Sequence, residues 1–150
     1  MFDPELTGRP GAPDPLAVAA APSPRRRSPW SIALAAFCAL TVLFLVPRDL
    51  FSPETRDVEV WFGFEVRGPA ALWTAPLHWA VFAIGAWAFW TEQPWIWRAA
   101  SAYVFYVAAS HGVWSEVSPN GHGWRVGLAQ AAAIAIPGIL LWRRGGRRAR

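Results

Sequence analysis

Four long apolar runs alternate with short polar connections along this chain. They are Trp30 to Val46, Gly68 to Trp90, Trp95 to Trp114 and Trp124 to Trp142. Apolar residues are bunched in these runs and do not recur at the spacing of a surface helix, which is the signature of membrane spans. Trp124 and Trp142 bracket the fourth run 18 residues apart, about 27 Å at the helical rise, close to the thickness of a bilayer's hydrocarbon core. The pattern predicts an all-α integral membrane protein with four transmembrane helices at about 30–46, 70–90, 95–114 and 124–142.

The connections differ in character. Thr91 to Pro94 is too short to hold a domain, so the second and third runs form an antiparallel pair, and Ser118-Pro119-Asn120-Gly121 is a strong turn signal between the third and fourth. The stretch 47–68 is longer and polar, and Pro47 is expected to end the first helix. Within it Val58, Val60, Phe62, Phe64 and Val66 alternate with Glu59, Trp61, Gly63, Glu65 and Arg67. Period two predicts an extended segment with one apolar and one polar face, because an interfacial helix would smear these residues around its axis. A lone strand is not stable in water, so this one lies at the lipid interface, pairs within its own hairpin, or joins a partner's sheet.

Charge orients the helices. All 14 basic residues are Arg, and ten of them lie in the segment 1–28, at Arg98 or in the tail 143–150. The opposite loops hold Arg48, Arg56, Arg67 and Arg125 together with six of the ten acidic residues. By the positive-inside rule both termini are cytoplasmic and 47–68 is not. Trp30, Trp90, Trp95, Trp97 and Trp142 then form one interfacial belt and Trp73, Trp114 and Trp124 the other. Residues 1–28, with six prolines and no apolar periodicity, read as a disordered tail, and 143–150 as a basic one. The sequence pI near 10.5 is explained by these flanking arginines, so lipids rather than nucleic acid are the expected contacts. Arg without Lys and frequent Ala, Pro, Gly and Trp fit a GC-rich bacterial genome, so the membrane expected is a bacterial inner membrane.

Candidate chemistry is sparse. Cys38, the only cysteine, sits in an apolar run as a small buried hydrophobe. No nucleophile elbow, phosphate loop, metalloprotease or dinucleotide motif is present. His78 lies within the second run two residues after Pro76, and an ionisable group there marks a functional site. It could be the single protein ligand of a bacteriochlorophyll, ligate a haem whose second ligand comes from another subunit, or bond across a helix pair to a carbonyl such as that of Leu72, which Pro76 leaves without its donor. Depth along the helices separates His78 from the other histidines and leaves it without a partner in its own chain. His111, Glu116 and His122 are joined by a tight turn and form a candidate metal site. Gly127, Ala131 and Ala135 recur every four residues for close helix packing, with Gln130 beside them as an interhelical hydrogen-bonding group that Tyr103 or Tyr106 can partner.

Together these features predict a non-catalytic accessory or structural subunit of a larger inner-membrane complex, with other membrane subunits as partners. The alternatives are a pigment- or haem-binding subunit of a photosynthetic or electron-transfer complex using His78, and a periplasm-facing metal-binding protein using His111, Glu116 and His122.

Overall fold

The computed structural model describes residues 27–52 and 58–148. The segment 1–26 and the acidic residues Glu54 and Asp57 lie outside the described residues. In chain order the elements are α1 (Pro29–Phe51), β1 (Val58–Trp61), β2 (Phe64–Arg67), α2 (Pro69–Trp90), α3 (Ile96–Val117) and α4 (Trp124–Arg148). Three helices, α1, α2 and α4, are long and apolar enough to cross a membrane, which makes this a multi-pass membrane protein. Helix α3 has the same length as α2, but Arg98, His111, Glu116 and its serines and tyrosines lower its apolarity.

Helix ends depart from the sequence expectation where tertiary contacts hold an extra turn. Pro47 does not end α1, which continues to Phe51. Proline removes one backbone donor, but the turn after it is anchored because buried Asp49 accepts from Trp79 Nε1 at 2.8 Å and from Arg48 Nε at 2.6 Å. Helix α4 likewise passes Trp142 into the basic tail as far as Arg148. Arginine is a good helix former, and buried Gly145 lets this turn lie against Trp97 of α3. Pro29 occupies the first turn of α1 as expected, yet Ser28 makes no side-chain cap. Its N–H instead donates to Glu92 Oε1 at 2.9 Å, tying the α2–α3 link to the start of α1.

The helices form two antiparallel pairs. Contacts are most extensive between α3 and α4, next between α1 and α2, and sparse between α2 and α3. Small residues let each pair close. A Cβ on Gly127 would lie 2.7 Å from Ser115 Cβ, and one on Gly112 would sit 3.6 Å from Ala131 Cβ. Further along, the buried Ser101 hydroxyl donates to the Gly138 carbonyl at 2.7 Å. This register places Gly127, Ala131 and Ala135 on the α3 side of α4. Ser31, Ala35 and Cys38 of α1 are buried, as are Ala71, Ala75 and Gly85 of α2, and a Cβ on Gly85 would come within 3.2 Å of Cys38 Sγ. Gln130 does not find the expected tyrosine: its buried Oε1 has no hydrogen-bond partner among the described residues. Tyr106 turns the other way, its hydroxyl accepting from the Phe62 N–H at 3.2 Å.

The extended segment is a hairpin, not one strand. β1 and β2 pair antiparallel with Val58 opposite Arg67 and Trp61 opposite Phe64. Phe62 and Gly63 turn the chain with φ of 52° and 87°, the signs a type I′ turn requires. This reversal breaks the predicted apolar face, because opposed residues share a face. Glu59, Trp61, Phe64 and Val66 occupy one side, and Val58, Val60, Glu65 and Arg67 the other. The two glutamates that a single strand would align are therefore on opposite faces, and each meets a different helix pair.

Candidate functional site

Glu59 is the residue around which the site forms. It is buried, and its Oε2 lies 2.7 Å from His78 Nδ1, an N–H to carboxylate hydrogen bond. Arg48, at the end of α1, approaches Glu59 Oε1 at 3.9 Å and pairs with Asp49 at 2.5 Å. The His78 imidazole stacks on Trp61, with ring centroids 4.3 Å apart and planes 2° from parallel. His78 is thus held by its edge and by its face, and both contacts come from β1. It neither stands alone nor bonds to the Leu72 carbonyl, as the sequence suggested. Depth along a helix takes no account of a hairpin that folds back against α2, and that return brings the carboxylate to the histidine.

A cavity of about 350 Å³ opens beside this pair. Val60 and His78 line one side, and Tyr103, Tyr106, Val107, Ser110, His111 and Trp114 of α3 line the other. His78 and His111 therefore reach a common space despite their separation in the sequence. The tyrosines are fixed by edge contacts: Tyr103 meets Phe82 at 5.8 Å and 87°, and Tyr106 meets Phe62 at 5.2 Å and 82°. Phe62 adopts a left-handed backbone that costs a non-glycine residue about 1–2 kcal/mol. The ring contact and the N–H bond to Tyr106 offset that strain and seat the turn on α3.

The second glutamate binds the hairpin to the other helix pair. Glu65 Oε1 accepts from Ser118 Oγ at 2.7 Å and Trp114 Nε1 at 3.1 Å, and Oε2 pairs with Arg67. Hydrogen bonds from Ser118, then Arg67 and Trp114, hold the Glu65 carboxyl below the usual carboxylate range. At the tip, a Cβ on Gly63 would stand 2.5 Å from Val113 Cβ and 2.7 Å from the Ser110 carbonyl oxygen. One carboxylate per strand thus clamps α1–α2 to α3–α4, and the cavity lies between the clamped pairs.

The chain matches no protein-family model, no curated protein and no solved structure. Function rests on the chemistry of the site itself.

The predicted site residues divide. His111 reaches the cavity and stacks on Trp114 at 5.6 Å. Glu116 and His122 are exposed in and beside the α3–α4 turn, and the His122 N–H donates to Ser115 Oγ at 3.3 Å. No three His, Cys, Asp or Glu side chains are grouped to hold a metal among the described residues. Proximity along a turn did not make His111, Glu116 and His122 converge, because His111 lies on the cavity side of α3 whereas Glu116 and His122 are exposed. Sequence reasoning missed Glu59, Trp61 and the Asp49–Trp79 bond. One signal was available: a histidine inside an apolar run needs a polar partner, and Glu59 and Glu65 are the nearest carboxylates preceding it in the chain.

Imidazole with Nδ1 committed to a carboxylate presents Nε2 for a second task. Nε2 can donate to or accept from a ligand, pass a proton, or bind a metal centre whose other ligands come from elsewhere. Phenol, hydroxyl and imidazole groups on the α3 side complement it.

Proposed function

We propose that this chain is a four-span bacterial inner-membrane protein, both termini cytoplasmic, that serves as a non-catalytic subunit of an electron-transfer assembly. In this reading it holds a small planar ligand from the bilayer, of the quinone class, against His78. The carrying observation is the Glu59-held, Trp61-stacked His78 facing an aromatic cavity whose other polar groups belong to α3. A ring with two opposed carbonyl oxygens suits hydrogen-bonding groups on two facing helices. About 350 Å³ is the lower end of ligand-pocket volumes, enough for a single substituted ring. The reading of α3 as a fourth span is supported by its extensive pairing with α4 and by the burial of its own Ser101, Ala108 and Ser115. Arginine asymmetry supports the orientation.

Titrating the detergent-purified protein with a short-chain quinone while following tryptophan fluorescence tests this reading, since Trp61 and Trp114 adjoin the site. Saturable quenching that weakens about five- to tenfold in His78→Ala is expected, the loss of one hydrogen bond. Quenching that is linear and indifferent to His78 overturns it. Reporter fusions after Arg67 and Gly121 should register the periplasm, and fusions after Gln93 and Arg150 the cytoplasm.

A second reading has its own support. A carboxylate on Nδ1 is the arrangement that orients a histidine for axial ligation through Nε2, which favours a haem or bacteriochlorophyll. A tetrapyrrole needs α2 and α3 to part beyond the present cavity. An absorption band in the gently purified protein, lost in His78→Ala, would decide for it.

A further inference from the structure

At the end of the bundle away from the hairpin, a second cavity of about 610 Å³ lies between the two helix pairs. Its walls are apolar, from Leu34 of α1 and Pro137, Leu140 and Leu141 of α4. Its rim is cationic, from Arg143 and Arg144. Trp30 and Trp97 complete it, at the level where interfacial tryptophans belong.

Arg144 shows that the rim is built and incomplete. Its guanidinium carbon lies 5.4 Å from the ring centroids of both Trp30 and Trp97, a cation–π contact with each indole. Nη2 donates to Ser28 Oγ at a long 3.4 Å, and the buried Nε has no hydrogen-bond partner among the described residues. No carboxylate forms an ion pair with Arg143 or Arg144 among the described residues. A guanidinium carries five donors in a fork shaped for phosphate or carboxylate, and a half-buried cation without an anion is costly. Topology alone asks only for arginine near a helix end; it does not ask for an aromatic bracket or an apolar cleft beneath.

We propose that this cleft binds an anionic glycerophospholipid, its phosphodiester on Arg143 and Arg144 and an acyl chain along Leu34, Pro137 and Leu140. Basic pockets between membrane helices on the cytoplasmic side recognise such headgroups. The lipid fills the gap between α1 and α4, which pack on α2 and α3 and make no extensive contact with each other, so it acts as a wedge joining the pairs opposite the hairpin clamp. This inference is independent of the ligand assigned to His78.

Full-length protein, purified in mild detergent and washed, should retain anionic phospholipid detectable by mass spectrometry of the extract. Arg143→Gln/Arg144→Gln should retain about tenfold less or lower still, whereas Arg125→Gln, at the hairpin end, should retain the wild-type amount. Equal retention in the double variant overturns the site. If that variant does not fold, the wild type decides: phosphatidylglycerol should raise its melting temperature and phosphatidylcholine should not. Equal stabilisation by both lipids overturns anionic recognition, and stabilisation by soluble glycerol 3-phosphate to the same degree assigns the arginines to a water-borne anion and overturns the lipid.

Discussion

Replacing Glu59 with alanine removes the carboxylate contacts between the hairpin and the α1–α2 pair while leaving the Trp61–His78 stack and the Glu65 anchor in place. Two contacts are lost, and they are unequal. The bond to His78 is short, at 2.7 Å, between side chains 7% and 19% exposed. The Arg48 contact is long, at 3.9 Å, with Arg48 33% exposed and already paired to Asp49, so solvent screening leaves it little weight. A hydrogen bond to a charged group contributes about 1.5–3 kcal/mol, and partial exposure of His78 argues for about 2 kcal/mol. For a domain of this size that corresponds to a fall of about 4–8 °C in melting temperature. Cys38 provides the assay: it is the only cysteine, buried between α1 and α2, so a thiol-reactive dye reports the opening of that pair specifically. Glu59→Gln keeps an acceptor for the imidazole N–H and should lose about half as much. Dye curves for Glu59→Ala that coincide with wild type would refute the clamp. Equal losses in Ala and Gln variants would show that the charge, and not the acceptor, carries the contact.

Glu65 makes the other anchor sensitive to acid. Its carboxyl is held below the unfolded-state value, so its contribution is complete above the ordinary carboxylate range and is lost as pH falls through the depressed one. Protection of the hairpin amides, corrected for intrinsic exchange, should fall on acidification in the wild type and become independent of that transition in Glu65→Gln; an unchanged transition in the variant counts against the assignment. Gly63→Ala forces a Cβ to 2.5 Å from Val113 Cβ at a φ of 87°, and should cost about 2–4 kcal/mol in the dye assay or free the hairpin tip. Gly127→Val should weaken the α3–α4 pair by about 1–3 kcal/mol, because its Cβ would meet Ser115 Cβ at 2.7 Å. Gly146→Ala is the matched control: among the described residues, apart from its chain neighbours and its own helical backbone, nothing lies within 4 Å of the added Cβ, so the change should be neutral or stabilising by up to about 1 kcal/mol.

What the amino-acid sequence determined by itself is the set of helices and the membrane character of α1, α2 and α4. Apolar runs of about 20 residues have few other stable fates, and Gly127, Ala131 and Ala135 announce a packing face because small residues are what lets helices approach in lipid. Four helices stand where four runs were read, with ends displaced by a turn where Asp49 or Gly145 found a tertiary contact. Only the tertiary structure decided the site. The alternation from Val58 to Arg67 is equally consistent with one strand or with a hairpin turned at Phe62–Gly63, because a two-residue turn inside a period-two pattern leaves no gap in it. Those two outcomes send Glu59 and Glu65 to the same face or to opposite faces, and the partner of His78 depends on which occurs. Gln130 shows the same limit in reverse: its place in the middle of the run is legible, but that its Oε1 finds no hydrogen-bond partner among the described residues is not, since Tyr106 is bonded to the hairpin. Depth along a helix is a local property written in the run of residues; which side chains share a cavity depends on how the two helix pairs and the hairpin close on one another.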